Sequence, residues 1–141
     1  MILLDTNVIS ETQRQEPDVR VLDWLDAQAL ETLYLSTITV AELRAGIALL
    51  PVGKRRASLD ENLEKCLLPM FANRVLAFDM ACTKAYAELL AKSLAAGLAF
   101  EPADAFIGAV ALANGFTVAT RDTSPFEAAG LNILNPWDVA Q

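Results

Sequence analysis

Four acids occupy positions where their chemistry could be shared: Asp5, Glu42, Asp104 and Asp122. Asp5 closes the apolar run Met1-Ile2-Leu3-Leu4, and Glu42 lies just past a second apolar run, Leu33-Tyr34-Leu35-Ser36. Asp104 opens a nearly all-apolar segment, and Asp122 follows the run Phe116 to Thr120. Ionised carboxylates crowded into a partly desolvated cleft repel one another and need a positive counter-charge. An all-oxygen set suits Mg2+ or Mn2+ and argues against zinc or copper. The chain has no histidine, which also excludes Ser-His-Asp triads, histidine bases and His-ligated zinc. Each acid has a purely structural reading as well. Asp5 fits a helix cap, and Glu42 closes a capping box that starts at Thr39. Asp104 fits a first-turn acid favoured by the helix dipole, and Asp122 an ordinary turn residue. Convergence of all four on one edge is what favours a common function.

That convergence depends on the elements that carry them. Met1–Leu4 reads as a buried strand with a helix directly after Asp5. Pro17 and Asp18 start a second helix, with Val21, Leu22, Leu25 and Ala29 at helical spacing up to about Leu30. Leu33–Ser36 is a second strand, and the box Thr39 to Glu42 opens a helix through Leu50. The charged stretch from Gly53 to Ala72 reads as an exposed helix ending near Pro69, a partner-facing or lid element. Val75–Phe78 is a third strand, followed by a helix from Asp79 to about Ala96 that Gly97 stops. Pro102-Ala103-Asp104 starts a helix over Ala105–Ala113, apolar on every face and therefore buried. Phe116–Thr120 is a fourth strand and Leu131–Leu134 a weaker fifth. Strands alternating with helices predict an α/β sandwich around a parallel sheet of four to five strands. Right-handed crossovers place every strand's carboxyl end on one edge, where open α/β sheets bind ligands.

Composition narrows the reading further. A chain of 141 residues suits one domain over 1–141. With 54% hydrophobic and 21% charged residues, disorder is excluded and some apolar surface is expected in subunit contacts. Cys66 and Cys82 have no CxxC partner and are expected to be two buried, reduced thiols of a cytoplasmic protein. No basic leader precedes Asp5 and no run is long enough to span a membrane, so neither export nor insertion is expected.

The stretches MILLDTNVIS, LSTITVAELRAGIALL, EPADAFIGAVALA and TVATRDTSPFEAAGLNILNPW resemble PIN-domain ribonucleases of the VapC type, above all the FitB-like subgroup of toxins from toxin–antitoxin pairs. The likeness runs from Met1 to Trp137. It implies a three-layer PIN-like sandwich and places the family's catalytic, metal-holding acids on Asp5, Glu42, Asp104 and Asp122. Thr6, Asn7, Thr120 and Arg121 fall at flanking positions of the matched motifs, where they could orient carboxylates. It further implies hydrolysis of RNA phosphodiester bonds, with one or two Mg2+, or Mn2+ as substitute, activating water for in-line attack. Glu42 and Asp104 are alternative proton acceptors.

A net charge of −7, from 18 acids and 11 bases, is awkward for a phosphate binder. The only basic cluster is Lys54-Arg55-Arg56, with Arg14, Arg44 and Arg121 as single contacts, and it could equally meet an acidic partner or simply be solvated. The resemblance implies a cognate VapB/FitA-like antitoxin that blocks the cleft, a toxin homodimer, and toxin–antitoxin hetero-oligomers that reach operator DNA only through the antitoxin. Two rival readings are a catalytically inactive PIN-like module that binds antitoxin or nucleic acid, and a haloacid-dehalogenase-type phosphatase. The latter's second aspartate would fall on Asn7. A receiver-like domain phosphorylated on Asp79 is a third, but it lacks the lysine expected after the fifth strand.

Overall fold

The strands of the computed structural model, which describes residues 1–138, are β1 (Ile2–Leu4), β2 (Leu33–Ser36), β3 (Val75–Leu76), β4 (Thr117–Ala119) and β5 (Ile133–Leu134). All pair in parallel in the order β3-β2-β1-β4-β5. The central strand is therefore the first in sequence, with Ile2 opposite Leu33 on one side and Thr117 on the other. Adjacent residues of a strand face opposite ways, so Leu4 enters one core and Leu3 the other.

The helices form the two outer layers: α1 (Thr6–Thr12), α2 (Val19–Ala27), α3 (Thr37–Ala48), α4 (Lys54–Asn62), α5 (Leu68–Met70), α6 (Met80–Ala95), α7 (Pro102–Asn114) and α8 (Ser124–Ala128). Val8, Ile9, Val21, Trp24, Leu43, Ile47, Leu63 and Phe71 cover one face of the sheet. Cys82, Leu89, Ile107, Val110 and Phe126 cover the other. This is the expected three-layer arrangement around a parallel sheet. The expected unit of 1–141 includes 139–141, which lie outside the described residues.

Several local expectations need correction. Ser36, still extended at φ −98° and ψ 158°, caps α3 by accepting the Thr39 amide at 3.1 Å. The helix thus starts one turn before the anticipated box, and Glu42 has no capping role. The charged helix is broken into α4, a π-helical turn over Leu63–Leu67, and α5 with Pro69 in its first turn. Pro69 has no N–H to give the preceding turn, and the wider turn lies where that bond would be lost. Cys66 is exposed, unlike buried Cys82, because Leu59, Leu63 and Leu67 form the stripe that meets the core and Cys66 lies off it. α7 buries Ala105 and Ile107 to Ala111, but Ala113 and Asn114 are exposed. The helix α8 had no counterpart in the sequence reading, and β3, β4 and β5 are each shorter than anticipated.

α6 and α7 approach closely at Gly108. A Cβ there would lie 2.8 Å from Leu89 Cδ1, 3.2 Å from Phe126 Cε1 and 3.3 Å from Leu131 Cδ1. All three side chains belong to the buried core and have little room to yield. Gly108→Ala is therefore expected to destabilise the fold by about 1–2 kcal/mol despite its better helix propensity. Urea denaturation measures this, and an unchanged midpoint would show that the two helices can separate at no cost.

Large apolar side chains are left outside, including Leu49 at 85% and Val52 at 91% exposure on the α3–α4 connection, and Met80 at 83% on α6. Among the described residues no helix is long and apolar enough to cross a membrane.

Candidate active site

Asp5 sits where β1 becomes α1, and its two carboxylate oxygens are separately engaged. Oδ1 caps α1 by accepting the Thr6 amide at 2.7 Å. Oδ2 accepts the Thr120 hydroxyl at 2.8 Å and, at 3.4 Å, the Asn7 amide. The residue is 2% exposed. Burial pushes its carboxyl up to about 6, against the pull of the Thr120 and Thr6 donors, with the charges of Glu42 and Asp122 adding to the rise.

Thr120 is fully buried at the end of β4 and links both sides of the edge. While donating to Asp5, its hydroxyl accepts the Asp122 amide at 3.0 Å, which folds the chain into the turn that carries Asp122. Asn7 Nδ2 also reaches Thr120 Oγ1 at 3.4 Å, and Asn7 Oδ1 accepts the Arg121 amide at the same distance. Only the backbone of Arg121 joins this network. Its guanidinium lies over the Trp137 ring, 5.0 Å from the centroid.

Glu42, in the second turn of α3, is exposed, and its Oε1 accepts the Thr6 hydroxyl at 2.5 Å. Asp104 is half-buried in the first turn of α7. Its carboxyl is pushed up to about 7, first by burial and then by the charges of Asp5, Asp122, Glu42 and Glu101. The four acids therefore feel one another across the carboxyl edge of the sheet. Glu101, which the sequence reading passed over, adds a fifth negative charge from the start of α7. Its signal was available in the spacing Glu101-Pro102-Ala103-Asp104.

Among the described residues no lysine or arginine forms an ion pair with them. The ion pairs among the described residues join Arg14 to Glu11, Arg20 to Asp18, Arg44 to Glu64 and Lys65 to Glu61. Nor is there a closed cage: among the described residues no group of three or more Asp, Glu, Cys or His is already arranged to hold an ion. The donor chemistry nevertheless fits a hard divalent cation, because the set is oxygen-only, uncompensated and partly desolvated.

The cluster Lys54-Arg55-Arg56 forms the first turn of α4, where positive charge opposes the helix dipole. Arg55 shares a polar depression with Arg14, Gln15 and Glu16. Arg56 lines another with Arg44, Ile47, Val52 and Asp60. None of the three makes a hydrogen bond or ion pair with the acids.

Comparison with known proteins finds relatives of the whole chain. Residues 2–131 match the PIN domain family. The chain is 84% identical to the plasmid stability protein StbB of Pseudomonas syringae pv. tomato, over 98% of this chain and 99% of that one. It is 58% identical to the VapC ribonuclease Y4jK of Sinorhizobium fredii, over 99% and 100%. The structure superposes on that of FitAB bound to an IR36 DNA fragment with a TM-score of 0.96 and 48% identity, covering 100% of this chain and 99% of that one.

Proposed function

The chain belongs to the PIN-domain family, and from that premise we propose that it is the VapC-type toxin of a type II toxin–antitoxin pair, a Mg2+-dependent ribonuclease held inactive by its antitoxin. The observation that carries the proposal is the uncompensated set of Asp5, Glu42, Asp104 and Asp122 at the carboxyl edge of the sheet, with Asp104 pushed up to about 7. The naming of the relatives as a VapC ribonuclease and a plasmid stability protein supports the same reading.

Asp5, Glu42, Asp104 and Asp122 would hold the cation, Mg2+ or its substitute Mn2+. When bound, it supplies Lewis-acid activation of water and offsets negative charge growing on the phosphate oxygens. Thr120 and Asn7 fix the orientation of Asp5 by donating to Oδ2. Asp104 or Glu42 would take the proton of the water whose oxygen forms the new P–O bond as the P–O3′ bond breaks, and the leaving oxygen would take a proton from solvent. The chain over 1–141 acts as one PIN-like domain in the cytoplasm.

Binding cannot draw on net charge, so Lys54, Arg55 and Arg56 supply local contacts to RNA or partner. The exposed apolar side chains Leu49, Val52 and Met80 suit contacts with a second copy and with the antitoxin. Operator DNA is reached through the antitoxin, in keeping with the FitAB–DNA structure. The phosphatase alternative lacks its second acid, since Asn7 donates an amide to Asp5 at that position.

Antitoxin-free protein is expected to cleave RNA with Mg2+ or Mn2+, to stop with EDTA, and to recover when Mg2+ is restored in excess. Gel analysis of total RNA and of purified tRNAs tests this. Cleavage unaffected by EDTA would overturn the metal-dependent mechanism, and binding without cleavage under every divalent ion would favour the inactive module.

A further inference from the structure

Glu42 is an exposed side chain with three rotatable bonds, yet the fold restrains it through a line of hydroxyls that runs back into the core. Thr6 Oγ1 lies 2.5 Å from Glu42 Oε1 and 3.0 Å from Thr39 Oγ1. Thr39 is fully buried, its amide donates to Ser36 Oγ at 3.1 Å, and its hydroxyl is 3.5 Å from the same oxygen. A hydroxyl has one proton. Thr6 must give its proton to the carboxylate, which can only accept, so Thr39 must be the donor in the contact with Thr6. The line therefore has one direction, from Thr39 through Thr6 to Glu42, and each bond polarises the next. No hydrogen bond reaches Glu42 Oε2 among the described residues, so one oxygen is fixed and the other left available.

We propose that Thr39 is a positioning residue for Glu42: its hydroxyl, acting through Thr6, holds the carboxylate in one rotamer facing the acidic edge. The proposal rests on the reading of Glu42 as a member of the candidate site. Without the Thr39 proton, the Thr6 hydroxyl loses the donor that fixes its orientation and is free to turn away from Glu42. The backbone cap at Ser36 stays, because it uses the amide of residue 39 and not its side chain. Oriented partners of ligating groups are worth about 10- to 100-fold in ion affinity.

The test compares Thr39→Val, which keeps the shape and removes the proton, with Thr39→Ser, which keeps the proton. In cation-free protein, three-bond NMR couplings of the Glu42 side chain are expected to report one rotamer in the parent and in Thr39→Ser, and averaging in Thr39→Val. Mn2+ titration is expected to give affinity about 10-fold weaker for Thr39→Val, with Thr39→Ser close to the parent. Urea midpoints check that all three chains are equally folded. A single parental rotamer in Thr39→Val overturns the proposal, and so does averaging in Thr39→Ser to the same degree as in Thr39→Val, which would assign the effect to packing. Couplings that change as expected in a parent that binds no Mn2+ and cuts no RNA would uphold the positioning role while removing the metal-dependent reading on which its purpose rests.

Discussion

Asp104→Asn is expected to lower Mg2+-dependent RNA cleavage by at least about 10²- to 10³-fold and to leave the fold intact. The substitution keeps the shape of the side chain and removes its charge. The Asp104 carboxylate receives no hydrogen bond from another described residue, so no cap or turn depends on it. Its carboxylate is instead opposed by burial and by four neighbouring acids, and the cation-free fold should tolerate the neutral amide at least as well. Asp5→Asn is a less clean test, because Asp5 Oδ1 caps α1 and Oδ2 receives the Thr120 hydroxyl. Single-turnover cleavage and urea denaturation of the Asp104→Asn protein separate the two effects. A variant that cuts at the parental rate would remove Asp104 from the site.

A second large effect is expected from pH in protein stripped of divalent ions. The Asp5 and Asp104 carboxyls are raised from 3.8 to about 6 and about 7 in the folded chain. The folded state then binds more protons than the unfolded state over this interval. The associated stability is present in full below the unfolded value and is lost as pH rises through the folded values. Asp5, at 2% exposure, accounts for about 3 kcal/mol between those limits. Asp18 works in the opposite sense, since the hydrogen bonds and charge of Arg20 lower its carboxyl to about 2, but its effect falls below pH 4. EDTA-treated protein should therefore melt at a higher temperature at pH 5 than at pH 8. Added Mg2+ should raise the melting temperature more at pH 8, where protons no longer compete for the carboxylates. A melting temperature that is flat or falls from pH 8 to pH 5 would show that these acids are compensated.

Most of the acidic edge was legible in the sequence because three of its four members mark an abrupt change of pattern, whereas Glu42 sits within the helix that follows β2. Asp5 and Asp122 interrupt apolar runs, and Asp104 is the one charge in an otherwise apolar helix. The span of β2 was equally plain, since Leu33–Ser36 is flanked by polar or turn-forming residues. The start of α3 was not. Both Ser36 to Thr39 and Thr39 to Glu42 satisfy the local spacing of a cap, and only the pairing of Ser36 with Leu76 across the sheet decides where the strand ends. The same dependence shortened β3, because β2 offers no ladder partner beyond Ser36 to receive Phe78. Ser124-Pro125 was a start signal, but α8 is too short to show a helical period. Cys66 was misjudged because the register of a mixed α and π helix cannot be counted from 3.6-residue spacing. The hydroxyl line from Thr39 to Glu42 spans 36 residues between Thr6 and Glu42, and no local pattern announces it.

The strand order has a consequence for how the polypeptide comes into being on the ribosome. β1 emerges first but needs β4 as its neighbour, and the bond between Asp5 and Thr120 closes a separation of 115 residues. At ~5–20 residues per second, ~6–23 s of translation separate those two groups. A nascent or prematurely terminated chain lacking β4 has one flank of its central strand bare and lacks Asp122. Completion of the sheet thus acts as a timer, withholding the assembled edge until β4 and the turn after it have been made.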